Sequence, residues 1–169
     1  MTTEHRNTAA TDYYSDKESK MRRPASVWYL AVVLIVLALG GLAGAYGFLS
    51  DPSGVGMGMA DQLDRLPIPD FTLAGIFLFV AMFLFPLFLV YGLLARPEWR
   101  MAATLEAWAK AHWAWVGSLL LGTGLALWLI IQAFYIGFSW PIQWFTAFLD
   151  ASILVSTLVA PTRDYFRKP

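Results

Sequence analysis

The chain has 169 residues, 58% hydrophobic and 14% charged, with a formal net charge of zero and no cysteine. Soluble domains run at roughly 45–50% apolar and about 25% charged, so most of this chain is written for an apolar surround. Zero net charge argues against nucleic acid as a partner, and the lack of cysteine removes disulfides, thiolate metal sites, iron–sulfur clusters and thiol–disulfide exchange.

Residues 1–26 are polar and lack apolar periodicity, which predicts a disordered tail; Tyr13-Tyr14 reads as a solvated spot within it. Lys20, Arg22, Arg23 and Pro24 close that tail. The first apolar segment, 27–49, exceeds the roughly 7–15 residues of a secretory signal core, so it is expected to be retained as a helix. Gly40-x-x-x-Gly44, with Gly47 one turn on, has the small-residue spacing that lets two helix backbones approach. In a chain with several apolar segments, that face is expected to meet the second or fourth segment before a second copy.

Residues 50–70 form a loop opened by Asp51-Pro52-Ser53-Gly54, in which Pro presets φ and Gly tolerates a positive φ. Gly54, Gly56 and Gly58 lack the Lys-Ser/Thr ending of a phosphate loop, and with Met57 and Met59 they read as a segment skimming a membrane surface. Asp51, Asp61, Asp64 and Asp70 follow no calcium-loop spacing and suit a solvated, non-cytoplasmic loop.

The second apolar segment, 71–95, is hydrophobic all round; Pro86 inside it predicts a kink that frees the carbonyl of Met82. Glu98–Ala111 is amphipathic and carries Trp99 and Trp108, as an interfacial helix or the wet start of the next segment would. The third segment, 113–136, follows an interfacial His112 and opens with Trp113 and Trp115; Gln132 is its deep polar residue, on one face with Trp128 and Tyr135. A short uncharged turn, 137–139, leads into the fourth segment, 140–160, so the last two form a helical hairpin. About twenty helical residues rise roughly 30 Å, the thickness of a bilayer's hydrocarbon core. The expected fold is all-α and integral to the membrane, four transmembrane helices in an antiparallel bundle, with 161–169 as a short C-terminal tail. Lys17, Lys20, Arg22, Arg23, then Arg96, Arg100 and Lys110, then Arg163, Arg167 and Lys168 flank the segments on one side, whereas the other loops hold only Arg65. This bias predicts that both termini are cytoplasmic.

Asp150 is the one formally charged residue well inside any apolar segment, and it sits halfway along the fourth. A carboxylate there costs about 2.5–3.5 kcal/mol to insert, so it is expected to face protein or water rather than lipid. Gln143, Thr146, Ala147, Asp150, Leu154 and Thr157 recur at helical spacing as one small and polar stripe, with Gln132 placed to meet Gln143 near the hairpin. No Lys or Arg lies within the other segments, so a neutral Asp150 would donate to a Thr, a Gln or a freed carbonyl. Three roles follow. Asp150 could be a clamp holding a larger membrane partner, which makes the chain a structural or accessory subunit. It could be the coupling carboxylate of a small proton- or cation-driven transporter. Or it could simply fix helix packing, at about 0.6 kcal/mol. The accessory reading is preferred, because a lone acid without a cationic mate is thin for transport.

No enzyme or cofactor is expected. The only histidines, His5 and His112, lie outside the apolar segments, where they could not both ligate an intramembrane haem, and no Ser–His or two-Asp pair lies at membrane depth. Asp51-Pro52-Ser53-Gly54, the 67–75 run PIPDFTLAG, and Gln132 with Trp140 and Gln143 resemble a group of small bacterial four-span integral membrane proteins over about residues 27–160. The resemblance implies a four-helix fold in a bacterial inner membrane and carries no activity; its members do not as a rule have an acid at the place of Asp150.

Overall fold

The structure is a computed structural model that describes residues 23–97 and 99–167, leaving aside the Met101 side chain. The expected N-terminal tail up to residue 22, with His5, Tyr13-Tyr14, Lys17, Lys20 and Arg22, lies outside the described residues, as do Glu98 and Lys168. The described chain is helical: α1 is Ala25–Ser50, α2 Thr72–Ala95, α3 Ala103–Ala109, α4 Trp113–Ile136, α5 Pro141–Leu158 and α6 Ala160–Phe166. Two 3-10 turns, Ala60–Arg65 and Arg100–Ala102, lie in the connections. Three helices, α1, α2 and α4, are long and apolar enough to cross a membrane, and there are four if α5 and α6 count as one bent span.

Helix α1 packs chiefly against α2 and α5, and α4 packs against the same two. Val27, Leu30, Leu34, Leu37, Gly41 and Ala45 recur every three or four residues on α1 and make its buried stripe. Leu89 and Leu93 of α2, Ala114, Leu121 and Leu125 of α4, and Leu149 and Ile153 of α5 complete the core. The close approach between α1 and α2 uses Gly41 and Gly44, not the expected Gly40. A Cβ on Gly41 would lie 2.5 Å from the Met82 carbonyl and one on Gly44 2.9 Å from Leu78, whereas Gly40 faces outward with nothing within 4 Å. The small residues at the contact are therefore Gly41 and Gly44, so the expected pair keeps its second glycine and its first is displaced by one residue.

Pro86 acts through a change of helix type. Leu78–Leu84 is a π-helix in which Phe85 N–H reaches back to the carbonyl of Val80. Proline has no N–H for the Met82 carbonyl four residues earlier, and the wider turn absorbs the misfit. That carbonyl is where Gly41 approaches, so the smallest residue of α1 meets the one turn of α2 that is out of register.

The fourth segment breaks earlier than expected. It runs as one helix only to Leu158, then turns by 60° at Val159 into α6. Pro161 again explains the break, since a continuous helix would need its missing N–H for the carbonyl of Thr157. That carbonyl instead accepts the indole N–H of Trp115 at 2.9 Å. Trp113 does the same for the carbonyl of Pro97 at 3.1 Å.

In the 50–70 loop, the expected turn forms: Gly54 N–H donates to the Asp51 carbonyl at 3.1 Å, and Gly54 and Gly58 take positive φ of 75° and 66°. The Asp51 carboxylate accepts from Ser53 N–H, Ser53 Oγ and Gly56 N–H, which hold it below the ordinary carboxylate range. Asp70, accepting from Thr72 N–H at the start of α2, is lowered for the same reason.

Candidate functional site

The stripe on α5 turns toward α4. Pro141 starts the helix, and Gln143 caps its first turn: Oε1 accepts from Trp140 N–H at 3.1 Å, and Nε2 donates to the Gly137 carbonyl at 2.9 Å. Gln143 is thereby committed to the hairpin turn, and its hydrogen bonds are to Gly137 and Trp140 rather than to the expected Gln132, which is half-buried on α4. Thr146 is half-buried and donates to the Ile142 carbonyl of its own helix. Thr157 is fully buried beside Trp115, its carbonyl engaged and its Oγ1 without a hydrogen-bond partner.

Asp150 is 6% exposed, so its carboxyl is turned away from the surface of the chain. It looks at Gly122 on α4: a Cβ there would lie 3.5 Å from Oδ1 and 2.6 Å from Leu154. Gly122 thus makes the room in which the acid sits. Asp150 Oδ1 is buried with no hydrogen-bond partner. An acceptor left in this state costs about 1–3 kcal/mol, more than a packing hydrogen bond of the usual size returns. The Thr, Gln and freed carbonyl envisaged as its partners are engaged elsewhere or lack a bond to it. Geometrically, the structure brings Asp150 and Thr157 onto the α4 side of α5, and leaves Gln132, Gln143 and Thr146 out of a shared hydrogen-bonded site.

A second buried acid escapes sequence reading. Glu106 on α3 is 6% exposed and His112, the residue before α4, is 2% exposed. The sequence places His112 at an interface beside Trp113, and within the fold it is enclosed by its own chain. Nδ1 of His112 accepts from Ala114 N–H at 3.3 Å, capping α4, and Nε2 lies 3.9 Å from Oε1 of Glu106. Glu106 Oε1 also accepts Trp113 N–H at 3.1 Å, while His112 N–H donates to the Phe166 carbonyl at 2.9 Å. The pair therefore ties α3, the start of α4 and the end of α6 together. Lys110, at a φ of 50°, turns the chain sharply between Glu106 and His112, and that turn brings them together. Arg96 lies over the Tyr165 ring at 4.6 Å, and Trp99 stacks on Trp113 at 5.3 Å, closing the same end of the molecule.

Among the described residues, no group of three His, Asp or Glu comes together as a metal site would require. Compared with protein-family models, curated proteins and solved structures, the chain matches none.

Proposed function

We propose that the chain is a small polytopic protein of a bacterial inner membrane with both termini cytoplasmic, acting without enzymatic chemistry as a structural or accessory subunit of a larger membrane complex. Its four crossings would be α1, α2, α4 and the bent α5–α6 pair, in an antiparallel bundle. Asp150 is enclosed by its own chain, so attachment to a partner falls to another surface. The observation that carries this reading is the outward stripe of α4. Leu120 and Leu127 are 61% and 58% exposed, and between them Thr123 and Gly124 face outward, with nothing within 4 Å of the Gly124 position. Thr123 satisfies its hydroxyl on the Leu119 carbonyl, leaving a bare notch in which a second helix backbone could lie close. Purification in a gentle detergent tests this. The reading requires a stoichiometric larger partner that Gly124→Leu releases; recovery of the chain alone, unaffected by that change, would remove it.

A second reading rests on a different observation, the unpartnered Oδ1 of Asp150. An intramembrane acid held apart from cations is what a proton- or cation-coupled transporter would use. If so, Asp150→Asn abolishes ion-driven flux in vesicles while the protein stays folded.

A further inference from the structure

A surface depression lies between α1 and α5. It is open to the side, has a volume of about 360 Å³, and is lined by Phe148, Ala151, Ser152, Val155 and Ser156 of α5 and by Val159 at the bend. Phe148, the pairs Ala151–Ser152 and Val155–Ser156, and then Val159 follow one another at three- to four-residue intervals along one side. From first to last they advance eleven residues, or about 16 Å, which is half of a hydrocarbon core and so the depth of one leaflet. On this wall Ser156 Oγ donates to carbonyls of its own helix. The opposite wall, however, is only Ser26 and Tyr29, a single turn of α1. A second helix would need a longer wall to pack against, whereas a flexible hydrocarbon chain would not.

The groove ends at the side of the molecule that carries the basic residues. Thr162 Oγ1 donates to Ser26 Oγ at 2.7 Å across the mouth, so the Ser26 hydroxyl keeps its own proton to donate. Arg163 follows Thr162 directly and is more than half exposed; its Nε faces the exposed Asp164 at 3.4 Å, which leaves its terminal nitrogens available. Arg23 is engaged on the α2 side, where it gives one N–H to the Leu94 carbonyl at 2.8 Å and lies 5.7 Å over the Trp28 ring, so it does not serve this mouth. Hydroxyl and guanidinium donors above an apolar slot are what a phosphate headgroup with an acyl chain beneath it requires.

We infer that this groove holds one acyl chain of an anionic phospholipid from the leaflet on the side of the termini, with its phosphate at Ser26 and Arg163. The site rests on the membrane placement proposed above and on neither the accessory nor the transport reading.

The test uses the full chain purified from membranes, delipidated, and offered equal amounts of phosphatidylglycerol and phosphatidylcholine in mixed micelles, with retained lipid counted by native mass spectrometry. One phosphatidylglycerol per chain should be retained, enriched by at least about fivefold, the effect of one interfacial arginine. Arg163→Gln, an exposed change that leaves the fold alone, should reduce that enrichment by about fivefold. Ser152→Phe, which fills the slot, should abolish retention of either lipid. Equal retention of the two lipids, enrichment unchanged in Arg163→Gln, or a second copy cross-linking at Ser152→Cys in place of lipid would each overturn the inference. A chain recovered outside the membrane fraction would instead overturn the membrane placement itself.

Discussion

Trp115→Phe, made with and without Pro161→Ala, tests the account of the broken fourth segment. In the native chain the Thr157 carbonyl has lost its helical donor to Pro161 and takes the Trp115 indole N–H at 2.9 Å. Phenylalanine keeps most of the ring and removes the donor, leaving a largely buried carbonyl with no helical alternative. Such an orphan costs about 1–3 kcal/mol. Alanine at 161 restores an N–H four residues after Thr157, lets α5 run on through Val159, and supplies the carbonyl from the backbone. In that background, Trp115→Phe should lose only the ring-packing difference, a term shared by both backgrounds that cancels in the cycle. The expected coupling is therefore about 1–2 kcal/mol, above the average of about 0.6 kcal/mol for hydrogen bonds between membrane helices, because this oxygen has nowhere else to turn. Unfolding of the four variants by denaturing detergent in mixed micelles measures it. Equal losses in both backgrounds, to within about 0.5 kcal/mol, would mean that Trp115 is packing and not a cap, and the explanation of the bend would fail.

Other outcomes follow from the same geometry. Gly41→Val should destabilise the fold by about 1–3 kcal/mol or more, because its Cβ meets Met82 backbone, whereas Gly40→Ala should be neutral; detergent melting of the two variants checks the register of the α1–α2 contact. Glu106→Ala should cost about 1–3 kcal/mol in the same assay by stripping the acceptor from Trp113 N–H, with Glu106→Gln milder because its amide oxygen still accepts. Asp51 and Asp70 have folded pKa values below the ordinary 3.8, so their contribution is full above the unfolded value and is lost as pH falls through the folded one. Relative to its intrinsic rate, the Gly56 amide should accordingly lose exchange protection on acidification to below about pH 4, and Asp51→Asn should make protection there independent of pH.

The sequence carries the long helices, the loop turn and the hairpin, because each rests on local chemistry: unbroken apolar runs, Asp-Pro-Ser-Gly, and a three-residue link. The bend at Val159 was also written in it, as Pro161, but apolarity continues across that point and hides the break. Registers were harder. Gly40, Gly41 and Gly44 are all glycines, and only the neighbouring helix decides which of them faces inward. Gln143 read as part of an intramembrane site, yet its place three residues after Trp140 suits a capping role, which won. Asp150 was expected to face protein or water rather than lipid, and it is enclosed by the chain, while the space it occupies beside Gly122 is a contact between helices that no spacing reveals. Glu106 and His112 meet because Lys110 adopts a left-handed turn, a conformation that lysine does not announce.

The absence of native cysteine makes the central claim, four crossings with the bent α5–α6 pair as the fourth, directly measurable. Single cysteines at Asp61, Lys110, Ser139 and Arg167 would be treated with a membrane-impermeant maleimide in sealed vesicles of known orientation. The account predicts that positions 61 and 139 label from the periplasmic side, and that 110 and 167 label only from the other. Labelling of position 167 together with 139 would make α5 and α6 a re-entrant hairpin and leave three crossings, contradicting the account.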